Sequence, residues 1–354
     1  MDASFWKGKR VLLTGHTGFK GGWSALMLRS MGAEVTGLAL APDQTPSFFE
    51  RAKVGEVARS IIGDIRDLDT VKRAVAESRA EIVLHLAAQA LVRRGYNEPV
   101  ETFATNVMGT AHVLEAARLS GHVRSVLVVT SDKCYENREW VWPYRENEAM
   151  GGYDPYSSSK GCAELLTSAY RRSFFSEQGI GLATARAGNV IGGGDWSDAR
   201  LVPDLVRGLE QGRSVFIRQP ESIRPWQHVM DALAGYFLLV EKLWHEPAQF
   251  GDGWNFGPSD ESVIPVRLIA NELVRLWGGP ASWQHDPESG AHEARILKLD
   301  SAKARSFLGW KPRLTVPEAL AKIVEWHKSD GAGADMQAVT LSQIHAYSSA
   351  GKAK

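Results

Sequence analysis

The sequence predicts an α/β protein: a doubly wound parallel sheet followed by a smaller α+β lobe. Three observations carry that prediction. Short β-branched runs alternate with helical stretches up to Ala187, the pattern of repeated βαβ units. The first run ends in glycines spaced three apart, Gly15, Gly18 and Gly21, just before a helix. After Ala187 the alternation stops and the segments become short and mixed.

The elements follow in order. Val11–Thr14 is the first strand, and a helix runs from Gly22 to about Met31. The loop between them reads Gly15-His16-Thr17-Gly18-Phe19-Lys20-Gly21. Glycines there permit a tight turn, let backbone N–H groups approach a pyrophosphate, and aim a helix N-terminus at its charge. A lone glycine triplet is a weak signal, and a plain βα turn is the bland alternative. Its strand–loop–helix setting at the start of the chain favours dinucleotide binding. Lys20 either reaches a phosphate or is solvated.

Glu34–Leu40 is the second strand. An acid at its end would suit an NAD ribose and a base a 2′-phosphate. Leu40-Ala41-Pro42-Asp43 supplies only a late acid, so this position leaves the cofactor open. Ser60–Gly63 is the third strand; after it, Asp64 and Ile65 either hold an adenine or form an ordinary turn. Asp67 caps a helix to about Ser78. Ile82–Ala87 is the fourth strand, and Leu86-Ala87-Ala88-Gln89 would lie against the nicotinamide side of a cofactor. A helix over Val100–Ser120, a strand at Val126–Thr130, a helix over Ser157–Glu177 and a strand at Leu182–Ala185 complete the alternation. The sum is a Rossmann-type sheet over residues 1–187.

Residues 188–329 read mainly as a ligand-binding lobe, with some segments able to return to the sheet. It holds helices at Leu201–Gln211, Met230–Trp244, Val266–Trp277 and Val316–Lys328, and short strands at Val215–Arg218 and Trp254–Gly257. From Asp330 the chain is rich in Ala, Ser and Gly, so 330–354 reads as a loosely held tail.

The chemistry is concentrated in one stretch. The fifth strand runs into Thr130-Ser131-Asp132-Lys133, and Tyr156 and Lys160 follow at helical i, i+4 spacing. That spacing puts phenol and ammonium on one helix face, where the ammonium can lower the phenol's pKa and make it a base. The bland alternatives are a solvated Asp132–Lys133 turn and an ordinary amphipathic helix pair. Cys134 reads as a small packed residue rather than a nucleophile.

Composition excludes some classes. Lys plus Arg equals Asp plus Glu, 41 each among 354 residues, so no global field favours nucleic acid or an anionic membrane. No apolar run approaches the roughly 18 residues of a membrane span, and MDASFWKGKR lacks the apolar stretch of a signal peptide. Cys134 and Cys162 fit neither a disulfide framework nor a metal site, and a reducing cytosol is the simple expectation, with no metal.

TGxxGxxG with YxxxK resembles the extended short-chain dehydrogenase/reductases. AGNVIGGGDW, IRPWQHV and KLDSAKARSFLGWKP resemble their sugar-nucleotide-modifying branch, and GHTGFKG, TSDKCYEN and RPWQHV jointly resemble its 4,6-dehydratases. The resemblance covers about Lys9 to Trp326. It implies NAD as cofactor, CDP-glucose as substrate, a homodimer through the two long helices, and a keto sugar bound for the deoxysugars of a surface polysaccharide. It implies that Tyr156 takes the 4-hydroxyl proton, Lys160 holds the nicotinamide ribose, and Ser131 or Thr130 shares the bond to the 4-oxygen. Asp132 would be the acid for the 6-hydroxyl. Lys133, where dTDP-glucose enzymes carry Glu, would be the C5 base. Asn106 and Thr130 would border the cofactor. Asn189, Arg200, Arg218, Arg224, His228 and Arg295 would meet the nucleotide sugar, although any one Arg could equally be a surface ion pair.

Overall fold

A computed structural model describes residues 1–286 and 295–350. The N-terminal elements are β1 (Arg10–Thr14), α1 (Phe19–Ser30), β2 (Glu34–Ala39), β3 (Arg59–Ile62), α2 (Leu68–Ser78) and β4 (Ile82–His85). A long helix α3 follows in three segments: Pro99–Phe103, a π turn at Ala104–Met108, and Gly109–Leu119. Then come β5 (Ser125–Val129), α4 (Pro155–Tyr170, continued by a π turn at Arg171–Phe175) and β6 (Gly181–Ala187).

These strands form one parallel sheet in the order β6-β5-β4-β1-β2-β3, extended beside β6 by a seventh strand, Gly253–Phe256. Every residue of β4, β5 and β6 is buried, as expected for a parallel sheet covered on both faces. Alternate residues face opposite cores. Leu13, Leu84 and Leu127 join the cluster containing Trp23; Leu12, Val83 and Val126 join the one containing Val113 and Leu114 of α3.

The second half contains β7 (Asn189–Ile191), α5 (Leu201–Glu210), β8 (Val215–Ile217), β9 (Ile223–His228), α6 (Val229–His245), β10 (Gly253–Phe256), β11 (Val263–Pro265), α7 (Val266–Trp277), β12 (Trp283–His285), α8 (Val316–Gly331) and α9 (Met336–Ala350). Its small sheets are β11-β9-β7 and β12-β8. A separate apolar cluster of α5, α7 and α8 residues, including Leu205, Leu273 and Leu320, holds this lobe together.

One segment of the second half returns to the main sheet, as the sequence allowed, and the C-terminal stretch departs from expectation. β10 is the edge strand of the main sheet, pairing in parallel with Thr184–Ala187, and α6 covers the sheet face through Leu233, Phe237 and Val240. The tail is also no loose end. Met336, Thr340, Ile344 and Tyr347 recur on one face of α9 and are buried, the spacing of a packed helix. Trp326 Nε1 donates to Thr340 Oγ1 at 3.0 Å, and Tyr347 OH donates to Asp231 Oδ1 at 2.8 Å. Composition suggested mobility because the apolar residues are sparse; their period decided otherwise. Residues 351–354 lie outside the described residues.

Candidate active site

The glycine loop is built for close approach. Gly15 has φ +79, and a Cβ there would sit 2.8 Å from the Ala87 nitrogen. A Cβ on Gly21 would sit 2.0 Å from the Gly15 carbonyl oxygen. Only glycine allows this turn and this packing. Thr14 Oγ1 accepts from the Leu86 and Ala87 amides, both at 3.1 Å, which pins the end of β4 beside the loop. Thr17 donates to the Leu40 carbonyl at 2.9 Å. Phe19 packs against Gly192. His16 is buried, bonded to Ser60 Oγ at 2.7 Å and seated against Gly37; burial lowers its pKa to about 4. It therefore ties the loop to the outer strands as a neutral group.

Lys20 points into the site, not to solvent. Its ammonium lies 5.8 Å from the Tyr236 ring centroid. Burial, with Arg200 and Lys160 nearby, brings its pKa to about 7, against the pull of Asp132 and Asp195.

At the end of β5, Ser131 Oγ donates to Asp132 Oδ1 at 3.0 Å and accepts from the Lys133 amide at 3.2 Å. Asp132 Oδ2 is buried with no protein partner. Burial raises the pKa of Asp132, with Lys133 and Ser131 pulling the other way. Burial lowers that of Lys133, opposed by Asp132. A carboxyl held toward its acid form thus stands beside an amine held toward its base form.

Asp154 caps α4 through Ser157, which sets Tyr156 and Lys160 one turn apart and buried. Ser131 hydrogen-bonds Tyr156 and lowers its pKa, but burial dominates and takes the phenol to about 12. Arg200 also lowers it, and Asp132 and Asp154 raise it. Lys160 has itself been brought to about 8 by burial.

Several predicted contacts hold the site rather than face it. Thr130 Oγ1 donates to Glu164 at 2.5 Å, so its proton is committed within the protein, while Ser131 is the hydroxyl that neighbours Asp132 and Tyr156. Asn106, in the π turn of α3, donates to the Gln89 carbonyl at 2.9 Å and Ser159 Oγ at 2.8 Å. Gln89 in turn donates to Thr102. Both side chains order the Leu86–Gln89 loop, with Ala87 and Ala88 within it, against α4. The Asp64 carboxylate pairs with Arg66, and Ile65 is buried against Gly109. His228 is fully buried, accepts the Met230 amide at 3.2 Å and caps α6. Burial holds it neutral, with a pKa of about 3, and its Nε2 is buried without a protein partner.

The lobe supplies the cations. β9 runs parallel to β7, placing Asn189 opposite Trp226. A Cβ on Gly188 would be 2.5 Å from Pro225 and 3.1 Å from Asp132 Oδ2, so β9 passes close behind Asp132. Arg224 acts electrostatically on both Asp132 and Lys133. Its Nη1 donates to the carbonyls of Ile223 and Arg295 at 2.9 and 3.3 Å. Arg295 is exposed and held by its backbone to Ile223. Arg200 Nη1 donates to Asp195 at 3.2 Å and lowers the pKa of Tyr156 and Lys133. Arg218 follows β8 and is half-buried. The sequence reading missed Asp195, Glu164, Arg186 and Tyr236. Glu164 carried a signal, since it continues the i, i+4 series of Tyr156 and Lys160.

The model of the NAD dependent epimerase/dehydratase family matches residues 11–250. The chain is 53% identical over 355 residues, 99% of each chain, to a CDP-glucose 4,6-dehydratase of Salmonella typhimurium. It is 28% identical to a UDP-glucose 4-epimerase of Mycolicibacterium smegmatis, covering 90% of this chain and 99% of that one. A dTDP-glucose 4,6-dehydratase from Streptomyces venezuelae, solved with NAD and TYD bound, shares the fold at a TM-score of 0.78 and 24% identity, covering 93% of this chain and 99% of that one.

Proposed function

The chain belongs to the NAD dependent epimerase/dehydratase family, and within it we propose that it converts CDP-glucose to CDP-4-keto-6-deoxyglucose and water, with NAD as cofactor. The observation that carries the reaction type is the buried Asp132, tied through Ser131 to half-buried Lys133 and set beside the Ser131–Tyr156 pair. Exchange of configuration at C4 needs only the latter; loss of water also needs an acid and a base. CDP-glucose as the substrate rests on the close similarity to the Salmonella enzyme.

The glycine loop fits a dinucleotide: Gly15 and Gly21 let the turn pack tightly against Ala87 and onto itself, and Gly18, at the N-cap of α1, puts no side chain between the helix N-terminus and a pyrophosphate. Gly15–Gly21 would hold its pyrophosphate, Leu86–Ala88 would border its nicotinamide, and Lys160 would bond its ribose. Bound NAD supplies a hydride acceptor for C4 and a hydride donor for C6. Tyr156, reacting as its phenolate, which the positive charge of Lys160 on the same helix face would favour, takes the 4-hydroxyl proton as C4 is oxidised. The ketone acidifies the C5 proton, which neutral Lys133 removes. Asp132, in its acid form, protonates the departing 6-hydroxyl. Lys133 then returns its proton to C5 as C6 is reduced. The balance leaves one proton on Tyr156 and one missing from Asp132. The Ser131 hydroxyl, bonded to both, is the route by which it is restored. Arg224, Arg200, Lys20 and Asn189 would meet the diphosphate.

The test is a product assay. Incubation with CDP-glucose and NAD should give a product lighter by one water that absorbs as a 4-ketosugar in alkali. An isomer of unchanged mass would make the chain an epimerase, and no product from any nucleoside diphosphate glucose would make it a nucleotide-sensing protein.

We further propose that it is a homodimer through α3 and α4. These helices leave Val100, Met108, Leu119, Leu165 and Phe174 exposed. Among the described residues no helix is long and apolar enough to cross a membrane. Both cysteines are free, which suits a cytoplasmic enzyme.

A further inference from the structure

Behind the catalytic groups lies a buried ion pair that the reaction scheme does not use. Glu164 stands one helical turn after Lys160 and two after Tyr156, so the three share a face of α4. The side chains of Arg186 and Glu164 are 6% and 5% exposed. The Glu164 carboxylate accepts four hydrogen bonds: from Thr130 at 2.5 Å, Thr184 at 2.7 Å, and Arg186 Nε and Nη2 at 2.9 and 2.7 Å. Arg186 Nη1 donates to Tyr135 OH at 2.7 Å and the Glu146 carbonyl at 3.0 Å. Tyr135 OH passes the chain to Asn255 Oδ1 at 2.7 Å. Asn255 lies opposite Arg186 in the β10–β6 register. The pair thus joins the catalytic helix to the ends of three neighbouring strands.

Stability is a weak reason for such a pair, because a buried ion pair roughly breaks even with apolar residues of the same volume. The charge has another neighbour. Lys160 Nζ has one protein acceptor, the Val129 carbonyl, at 3.4 Å. The titratable groups around it are His85 from β4, Lys20 from α1, Cys134 from the turn after β5, and Tyr156 and Glu164 from its own helix. His85 is neutral and Cys134 stays a thiol, both through burial. Lys20 repels the ammonium. Glu164 is the only carboxylate among these neighbours.

We propose that Glu164 is a positioning residue of the active site: ionised and anchored by Arg186, it keeps Lys160 charged in a buried setting and fixes Thr130, with the Ser131–Asp132 segment, against α4. The catalytic part of this rests on the function proposed above.

The sign follows from the surroundings. Burial brings Lys160 down to about 8, and Glu164 opposes that fall. Without the carboxylate the ammonium deprotonates at lower pH. Activity that needs the ammonium is lost as pH rises through that value, so the alkaline limb of the rate profile moves down.

Glu164→Gln keeps the shape and removes the charge. The alkaline limb should move down by about one pH unit or more. In the NAD-free protein, trace acetylation of Lys160, read by mass spectrometry, should set in at correspondingly lower pH. If the orphaned guanidinium prevents folding, Glu164→Gln with Arg186→Met removes it, and the same two shifts are expected. A folded variant whose rate falls equally at all pH, with limb and labelling curve unmoved, would overturn the proposal. Wild-type protein inactive on CDP-glucose would instead sink the functional reading, while the labelling curve would still report on Glu164.

Discussion

In the proposed reaction Asp132 is the residue that separates water loss from simple oxidation and reduction. Its Oδ1 is occupied by Ser131 while Oδ2 is buried and unpartnered, so one oxygen is oriented and the other is left for a ligand. An unpaired buried oxygen costs about 1–3 kcal/mol, a cost a substrate hydroxyl would remove. Asp132→Asn imitates the acid form in shape but cannot give up a proton. We expect a loss of about 10²–10⁴ in turnover, with exchange of the C5 hydrogen into deuterated solvent retained. Wild-type turnover by this variant would refute the acid role. Much of this site was legible in the sequence, because Ser131-Asp132-Lys133 and Tyr156–Lys160 are local patterns. The loss of Thr130 to Glu164, and of Asn106 and Gln89 to loop support, was not. Those bonds join positions 34, 17 and 13 residues apart, which no local period reveals.

At the scale of elements, the alternation of strands and helices fixes the N-terminal sheet because each βαβ unit is nearly self-contained. β10 escaped that reasoning: it pairs with a strand far back in the chain, and only tertiary context distinguishes it from a strand of the lobe. α9 escaped for another reason, its low apolar content. The helix nevertheless lies against α1 and α8, and so backs the helix that carries the glycine loop. Ile344 is 1% exposed there. Ile344→Ala should cost about 2–5 kcal/mol in urea denaturation, as a core truncation does. A change within about 0.5 kcal/mol, the range of an exposed surface site, would return the segment to the status of a loose tail.

On the scale of the whole molecule, the sheet is clothed on one face by α1 and α6 and on the other by α2, α3 and α4. Beyond α1 and α6 lie α8, α9 and the lobe; no further layer covers α3 and α4 among the described residues. Val100 on α3 is 81% exposed and Leu165 on α4 62% exposed. Arg118 of α3 lies 5.1 Å from the Phe174 ring at the end of α4, so the apolar residues of the two helices border one another. Isolated exposed apolar residues need no explanation, but a run of them on two adjoining helices marks an interaction surface. A second copy is the partner the symmetry of homo-oligomers favours. The same helices hold Tyr156, Lys160 and Asn106 in place, so a dimer would stiffen the catalytic groups from behind. Light scattering should therefore report a dimer for the wild type. Met108→Glu with Leu165→Glu, which buries like charges at the shared face, should give a monomer with reduced turnover. A wild-type monomer, or a double variant that remains a dimer, would show that α3 and α4 are not the interface.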